Sequence, residues 1–306
     1  MTILVTGSDG LVGSALREIL AKEDAYMATR SSADLTDFDQ TMELFSQVKP
    51  DRVIHLAALV GGIGGNLMHS GDYFRTNTLI NLNVLEAART VGVKKLGSFM
   101  STCIFPNDAK YPLTVDQLHL GSPHPSNFGY AYAKRMLEVQ SRAYREQWGL
   151  DYVVAIPTNI YGPNDNWSLT EGHVVPSLIH KVFLAREKDE PLVVWGTGNP
   201  LREFIYSADV AQLALWLITE YSSATPIIFT SGTETSIREL VSMVTEAMSY
   251  DGVVTFDDSK PDGQFRKPSD PAAVKELAPD FSFTPLDEGI RQTVDWFLKH
   301  YPKIRT

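Results

Sequence analysis

TILVTGSDGLVGSALREIL, residues 2–20, is the stretch on which the architecture turns. Thr2–Thr6 is a short apolar run of strand length. Gly7, Gly10 and Gly13 follow at three-residue spacing, and Leu16, Ile19 and Leu20 then recur at helical intervals. Strand, glycine turn and helix in that order open a dinucleotide-binding βαβ unit. Glycine permits the tight turn and lets the backbone approach a pyrophosphate. The helix N-terminus offers unpaired N–H groups and the positive end of a dipole to the phosphates. The spacing is G-x-x-G-x-x-G rather than G-x-G-x-x-G, and its place between a clear strand and a clear helix gives it weight. The predicted phosphate loop is Gly7, Ser8, Asp9, Gly10, Leu11, Val12 and Gly13.

A second strand over Ala25–Thr29 ends at Arg30, where a fold of this type reads the adenosine ribose. An acidic residue there favours a free 2′-hydroxyl and an arginine favours a 2′-phosphate, so Arg30 points to NADP(H). Asp9 works against a 2′-phosphate and keeps NAD(H) as a second choice. Asp34 and Leu35 stand where adenine contacts are expected, with a turn role for Asp34 equally open.

Further strands are expected at Arg52–Leu56, Leu96–Met100, Tyr152–Pro157 and Pro226–Thr230, and helices at Thr36–Gln47, Asp72–Val91, Phe128–Gln147 and Leu286–Tyr301. Alternation of this kind predicts an α/β fold with a doubly wound parallel sheet, a Rossmann architecture. Such sheets bind ligands at the carboxyl ends of their strands. The glycine loop, Ala57, Ser101-Thr102-Cys103 and Pro157-Thr158-Asn159-Ile160 all follow strands and gather at that edge. After Tyr161-Gly162-Pro163 the pattern degrades up to about Pro200, then a βα-like stretch returns at Phe204–Tyr221. The expected division is a cofactor-binding domain over 1–163, with returning segments at about 203–232 and 284–306. A smaller, discontinuous C-terminal substrate lobe takes about 164–202 and 233–283.

At 306 residues and 43% hydrophobic, the chain can bury a full core. A net charge of −10 argues against a nucleic-acid or membrane-surface partner. One cysteine excludes an internal disulfide and fits a reducing compartment. The N-terminus lacks a signal-peptide pattern, and no apolar run approaches the ~20 residues of a membrane span. A cytoplasmic location is expected, and no residue set is assigned to a metal.

Tyr130 and Lys134 stand four apart in GYAYAKRMLEVQ and share a helix face. A cation beside a phenol favours phenolate and is expected to lower the tyrosine pKa from its free value of about 10, making Tyr130 a proton donor and acceptor. The spacing alone also suits a lysine stem covering an aromatic ring; the glycine loop upstream tips the balance toward chemistry. Ser101 can hydrogen-bond the same substrate oxygen. On residue type alone, Cys103 is a small buried hydrophobe and His173 a structural histidine.

Gly7-x-x-Gly10-x-x-Gly13, Ser101 and Tyr130-x-x-x-Lys134 resemble the extended short-chain dehydrogenase/reductase family from end to end. The segments HLAALVGGIGGN, STCIFP, NFGYAYAKRMLEVQ, PTNIYGPNDNW, GHVVPSLIHK, VWGTGNPLREFIY and SKPDGQFRK are similar to the GDP-L-fucose synthase family. The resemblance implies epimerisation of GDP-4-keto-6-deoxy-D-mannose at C3 and C5, then reduction of the C4 ketone with NADPH. It makes Cys103 the epimerisation base and His173 the partner acid, with Ser101, Tyr130 and Lys134 serving reduction. It counts Ala57, Tyr130, Lys134, Pro157, Thr158, Asn159, Ile160 and His173 among the cofactor contacts. Lys181, Trp195, Arg202 and Asp262 fall at positions that contact the GDP-sugar, while Asp262 in Pro-Asp-Gly equally suits a turn. It also implies a homodimer built on the Asp72–Val91 and Phe128–Gln147 helices.

An NAD-dependent nucleotide-sugar 4-epimerase would share Ser101, Tyr130 and Lys134 but would need no acid/base pair for C3 and C5. A dehydratase would want a carboxylate close after the serine, where Thr102 and Cys103 stand. A dinucleotide-binding regulatory scaffold would have no use for an intact Ser101, Tyr130 and Lys134.

Overall fold

The computed structural model describes residues 1–260, 262 and 264–306, with Ile63 by its backbone. Pro261 and Gly263, which flank Asp262 in the anticipated Pro-Asp-Gly turn, lie outside the described residues. The first unit is β1 (Ile3–Thr6), the glycine turn and α1 (Leu11–Ile19), followed by β2 (Ala25–Ala28), α2 (Phe38–Val48) and β3 (Arg52–His55). A short α3 (Ile63–Met68) leads into α4 (Ser70–Thr90), β4 (Lys95–Phe99), α5 (Phe128–Trp148) and β5 (Asp151–Pro157). Next come β6 (Asn159–Tyr161), α6 (Val174–Lys188), β7 (Leu192–Trp195), β8 (Leu201–Tyr206), α7 (Ser207–Thr219) and β9 (Ile227–Phe229). The chain closes with β10 (Glu234–Ser236), α8 (Ile237–Ala247), β11 (Val254–Asp257), α9 (Ala272–Leu277) and α10 (Leu286–His300).

Six strands form one sheet in the order β2-β1-β3-β4-β5-β9, every pair parallel. Side chains alternate across a strand, and both faces of this sheet are covered, so its strands are apolar throughout. Ile3, Val5, Ile54, Val153 and Ala155 pack under α1 and α7. Leu4, Val53, Leu96, Val154 and Ile156 pack under α2, α4 and α5 on the opposite face. Local chemistry sets the helix ends. The Asp37 carboxylate accepts the Asp39 and Gln40 N–H groups at 2.9 and 3.2 Å to start α2. Ser236 and Glu239 form a reciprocal capping box on α8. Gly149, at φ +67°, ends α5 in the left-handed region, where glycine carries no Cβ penalty.

A third apolar cluster lies beyond the sheet, built from Val175, Leu178 and Ile179 of α6, Leu240 and Val244 of α8, and Ile290, Val294 and Phe297 of α10. Two details differ from the sequence reading. The Phe204–Tyr221 stretch divides its allegiance: β8 pairs with β6 and β10 in a separate three-stranded sheet, while α7, with Ile205 of β8, packs on the central one. Residues 284–306 do not return to the parallel sheet, because the apolar stripe of α10 faces α6 and α8. The Asp209 carboxylate of α7 grips Thr284, accepting its N–H and hydroxyl at 2.8 and 2.7 Å, and so joins the two layers.

Candidate active site

At the β1–α1 turn, Gly7 has φ +73° and a Cβ there would fall 2.7 Å from the Ala57 nitrogen. A Cβ on Gly13 would fall 2.5 Å from the Gly7 carbonyl. These two glycines are therefore dictated by close backbone approach. Among the described residues no side chain caps the N-terminus of α1, so its first N–H groups are left for a ligand or solvent. Asp9 is not the unopposed charge that the sequence suggested. Arg17, two turns along α1, reaches its carboxylate at 3.4 Å and donates to the Ser8 hydroxyl at 3.2 Å. Arg30 is exposed beyond the end of β2. Asp34 serves the turn: its carboxylate accepts the Thr36 N–H and hydroxyl at 2.9 and 2.8 Å, which holds its pKa below the usual range. Leu35 packs against the core.

Ser101 follows β4 and leads into the short helical turn that carries Cys103. Tyr130 and Lys134 are both buried on α5. The Lys134 ammonium donates to the Phe99 carbonyl at 3.0 Å and lies 5.9 Å from the Tyr130 ring centre. The expected lowering of the tyrosine pKa is overturned. Burial raises the Tyr130 pKa, the Cys103 and Tyr73 groups raise it further, and Lys134 does not offset them. The same burial brings Lys134 down to about 8. A low-polarity site disfavours either charge, so Tyr130 holds its proton and Lys134 is a cation that yields its proton just above neutrality. Burial also pushes the Cys103 thiol up, and Lys267, Ser101 and Lys134 pull it back in part.

Beneath Lys134, His55 Nδ1 meets the Thr6 hydroxyl at 2.8 Å and Nε2 meets Asn81 Oδ1 at 3.2 Å. Asn81 also donates to the Ala133 carbonyl at 3.1 Å. Burial takes His55 down to about 3, so this link between β1, β3, α4 and α5 is neutral.

His173 stands at the N-terminal end of α6. Its ring reaches solvent but is crowded by protein, and burial, then the nearby Arg305, push its pKa below the usual histidine value. A backbone bond brings its loop to the site: the Gly62 N–H donates to the Glu171 carbonyl at 3.0 Å. Gly61 and Gly65 in turn pack on the Tyr73 hydroxyl, and the Tyr73 ring meets the Tyr130 ring edge-on at 6.5 Å. Neither Tyr73 nor Arg17 was anticipated, since a lone tyrosine and a helix arginine carry no sequence signal.

Asp165 in the same loop is 2% exposed. One oxygen accepts the Asn166 N–H at 2.7 Å and the other has no partner among the described residues. Burial raises this carboxyl to about 7. The fold prefers the protonated acid, so its cost is absent below the unfolded value of 3.8. The cost grows as pH rises and is complete above about 7. About three units at about 1.4 kcal/mol each make it a few kcal/mol. Asp165→Asn removes the charge, so its melting temperature is expected to exceed the parent's at pH 8 by several degrees and to match it near pH 4. A variant melting below the parent at both pH values would refute this.

Trp195 ends β7 and is 64% exposed, an open aromatic face with the Lys181 ammonium 4.9 Å and the Lys260 ammonium 5.9 Å from its ring. Arg202 on β8 is half-buried, and its guanidinium donates to the Leu201 carbonyl at 2.7 Å. Asp262 braces the segment that follows β7: its two oxygens accept the Thr197 N–H and hydroxyl at 2.7 and 2.8 Å. Its charge still acts on Arg202. Asn159 donates to the Glu203 carbonyl at 2.7 Å, while Pro157 and Thr158 are buried at the end of β5 and Ile160 is partly buried on β6. Lys267, in the SKPDGQFRK segment, carries no signal of its own in the sequence, yet its charge acts on both Cys103 and Arg202.

Residues 3–231 match the NAD dependent epimerase/dehydratase family. The chain is 44% identical to GDP-L-fucose synthase of Dictyostelium discoideum, covering 99% of this chain and 97% of that protein. It is 33% identical to GDP-L-fucose synthase of Escherichia coli K12, covering 99% and 98%. The crystal structure of a GDP-L-fucose synthetase from Naegleria fowleri bound to NADP superposes with a TM-score of 0.95 at 40% identity, covering 100% of this chain and 95% of that one. The glycine turn, the Ser101–Tyr130–Lys134 group and this full-length likeness agree: the chain belongs to the NAD dependent epimerase/dehydratase family and, within it, to the GDP-L-fucose synthases.

Proposed function

We propose that the protein converts GDP-4-keto-6-deoxy-D-mannose to GDP-L-fucose, epimerising C3 and C5 and reducing the C4 ketone with NADPH. The observation that carries the proposal is a thiol, a phenol and an ammonium converging at the carboxyl ends of β4 and β5, beside a bare glycine turn.

The residues fit an NADP. Gly7 and Gly13 admit no side chain, α1 is uncapped, Arg17 faces Asp9, and Arg30 is exposed beyond β2. Arg17 and Arg30 together favour a 2′-phosphate, leaving NAD(H) as the second choice. The cofactor contacts assigned are Gly7–Gly13, Arg30, Asp34, Leu35, Ala57, Tyr130, Lys134, Pro157–Ile160 and His173. Bound NADPH supplies the hydride that C4 requires.

The ketone acidifies both neighbouring carbons. Cys103 removes a proton from one face, Ser101 and Tyr130 hydrogen-bond the oxygen where enolate charge develops, and His173 returns a proton from the other face. A histidine with lowered pKa is a weaker base and so a readier acid. Tyr130 then protonates the C4 oxygen, with Lys134 holding the cofactor ribose. In the lobe over about 164–202 and 233–283, Trp195 offers a face for the guanine. Lys181 and Arg202 on its border oppose the diphosphate, and Asp262 holds the turn that presents Trp195.

The subunit works as a homodimer in the cytoplasm. Phe74 and Leu82 of α4 and Phe128, Met136 and Val139 of α5 are exposed on two adjacent 21-residue helices, an apolar face suited to a four-helix interface. Met136→Glu is expected to shift sedimentation from dimer to monomer; a parent that already sediments as a monomer rejects this interface.

The test of the reaction is incubation with the keto-sugar in deuterated water, with NADPH and NADH supplied separately and the product read by NMR. GDP-L-fucose deuterated at C3 and C5 is expected, formed faster with NADPH. Keto-sugar left unconsumed with either cofactor rejects the proposal.

A further inference from the structure

Residues 162–172, between β6 and α6, form neither strand nor helix, yet they deliver His173. Trp167 in their middle is fully buried. Its indole lies nearly parallel to that of Trp296 on α10, ring centres 6.0 Å apart, and meets Phe297 at 4.6 Å. Its backbone is held on both sides. The N–H donates to the Arg305 carbonyl at 2.8 Å, and the carbonyl accepts from His180 Nδ1 of α6 at 2.8 Å.

Little slack separates Trp167 from His173. The Ser168 hydroxyl accepts the Glu171 N–H at 3.1 Å, and the Ser168 carbonyl accepts the Gly172 N–H at 3.1 Å. A Cβ on Gly172 would fall 2.4 Å from that carbonyl oxygen. Among the described residues no side chain caps α6. An uncapped first turn is the least constrained part of a helix, so the loop supplies the constraint on His173.

The chain beyond α10 is seated in turn. The Tyr301 ring meets Phe183 at 4.4 Å and His180 at 5.8 Å, both on α6. Ile304 packs against the third apolar cluster. The tail that offers the Arg305 carbonyl to Trp167 is thus anchored to α6, and the charge of Arg305 acts on both Asp165 and His173.

We infer that residues 301–306 position the His173 acid: the tail holds the Trp167 backbone, and Trp167 sets where the loop delivers the imidazole. The inference rests on the proposed acid role of His173 for its purpose. Returning a proton to the carbon face opposite Cys103 needs an imidazole in reach of that carbon, and a displacement of about 1 Å costs on the order of a hundredfold. The tail touches neither Cys103 nor Tyr130 among the contacts described, so its effect falls on proton return and not on hydride transfer.

Two readings are taken without sugar: amide hydrogen exchange over residues 162–173 by mass spectrometry, and titration of the His173 ring by NMR, assigned with His173→Gln. They are made on the full chain, on Ile304→Asp, on a variant lacking residues 303–306 and on Arg305→Gln, with melting curves confirming folding. In the first two variants the loop amides are expected to exchange at least about tenfold faster. The His173 midpoint is expected to rise toward the ordinary histidine value as crowding and the Arg305 charge are withdrawn. Arg305→Gln keeps the carbonyl and is expected to leave the loop amides at the parent rate. With the keto-sugar, deuterium incorporation at C3 and C5 is expected to fall at least about tenfold in the tail variants. Hydride transfer from C4 of GDP-L-fucose to saturating NADP+ is expected to keep the parent rate. Loop amides and a His173 midpoint that stay at parent values in a folded tail variant overturn the inference. Equal loss of deuterium incorporation and hydride transfer also overturns it. A parent that leaves the keto-sugar unconsumed rejects the proposed reaction, while the two sugar-free readings still decide whether the tail positions His173.

Discussion

Tyr130→Phe is expected to lose ketone reduction by at least about a hundredfold while still exchanging solvent deuterium into C3 and C5. The ring is buried and its pKa lies above the free value, so phenylalanine preserves the packing, including the edge contact with Tyr73, and removes one group, the proton donor to the C4 oxygen. Hydride arrival at C4 without that proton leaves an alkoxide in a low-polarity site, which is costly. In the proposed mechanism exchange depends instead on Cys103 and His173, with Ser101 still able to bond the enolate oxygen, so it is expected to slow without stopping. The pH dependence carries a second signature. Lys134 is charged below about 8 and loses its proton as pH rises through that value, so reduction by the parent is expected to decline there. Equal loss of exchange and reduction in Tyr130→Phe would defeat this division of labour, because the phenol would then be needed for enolate formation itself.

The first half of the fold was legible because its signals are local. Strands buried on both faces are apolar throughout, and the helices between them carry a polar side, so period and length separate them. The second half lacked that contrast. Helix α6 buries Val175, Leu178, Ile179 and Val182 but also Pro176, Ser177 and His180, so no polar face marks it. Strand β7 is four residues long and α10 looks the same whichever layer it covers. At the site, Gly7, Gly13, Tyr130 and Lys134 were readable because spacing along one turn or one helix places them. Tyr73, Lys267 and the partner of Asp9 were not, because only tertiary packing brings them in. The sign of the Tyr130 shift was misread for a related reason: a helix pair predicts proximity to a cation, whereas depth in the protein decides which charge survives.

Cys103→Ser carries the largest expected loss. Serine keeps the shape and a hydrogen-bonding oxygen, but its hydroxyl is a far weaker acid than a thiol, and burial disfavours its anion as it already disfavours the thiolate. Lys267 and Lys134 offset part of the effect of burial on the thiol; they cannot bring an alkoxide within reach of neutral pH. The base is therefore gone, and GDP-L-fucose formation and deuterium exchange at both carbons are expected to fall by about 10²–10⁴ together. The two carbons are expected to fall together because both flank one ketone, and the proposed mechanism has one thiol serve each in turn. The reduction apparatus of Ser101, Tyr130 and Lys134 stays in place, so the block lies in delivery of the epimerised ketone. Full turnover by Cys103→Ser would remove Cys103 from the reaction and return the thiol to the apolar role that its residue type suggests. Exchange lost at one carbon alone would assign the other to a different base, with the His173 imidazole, the partner acid of the proposed mechanism, the first candidate.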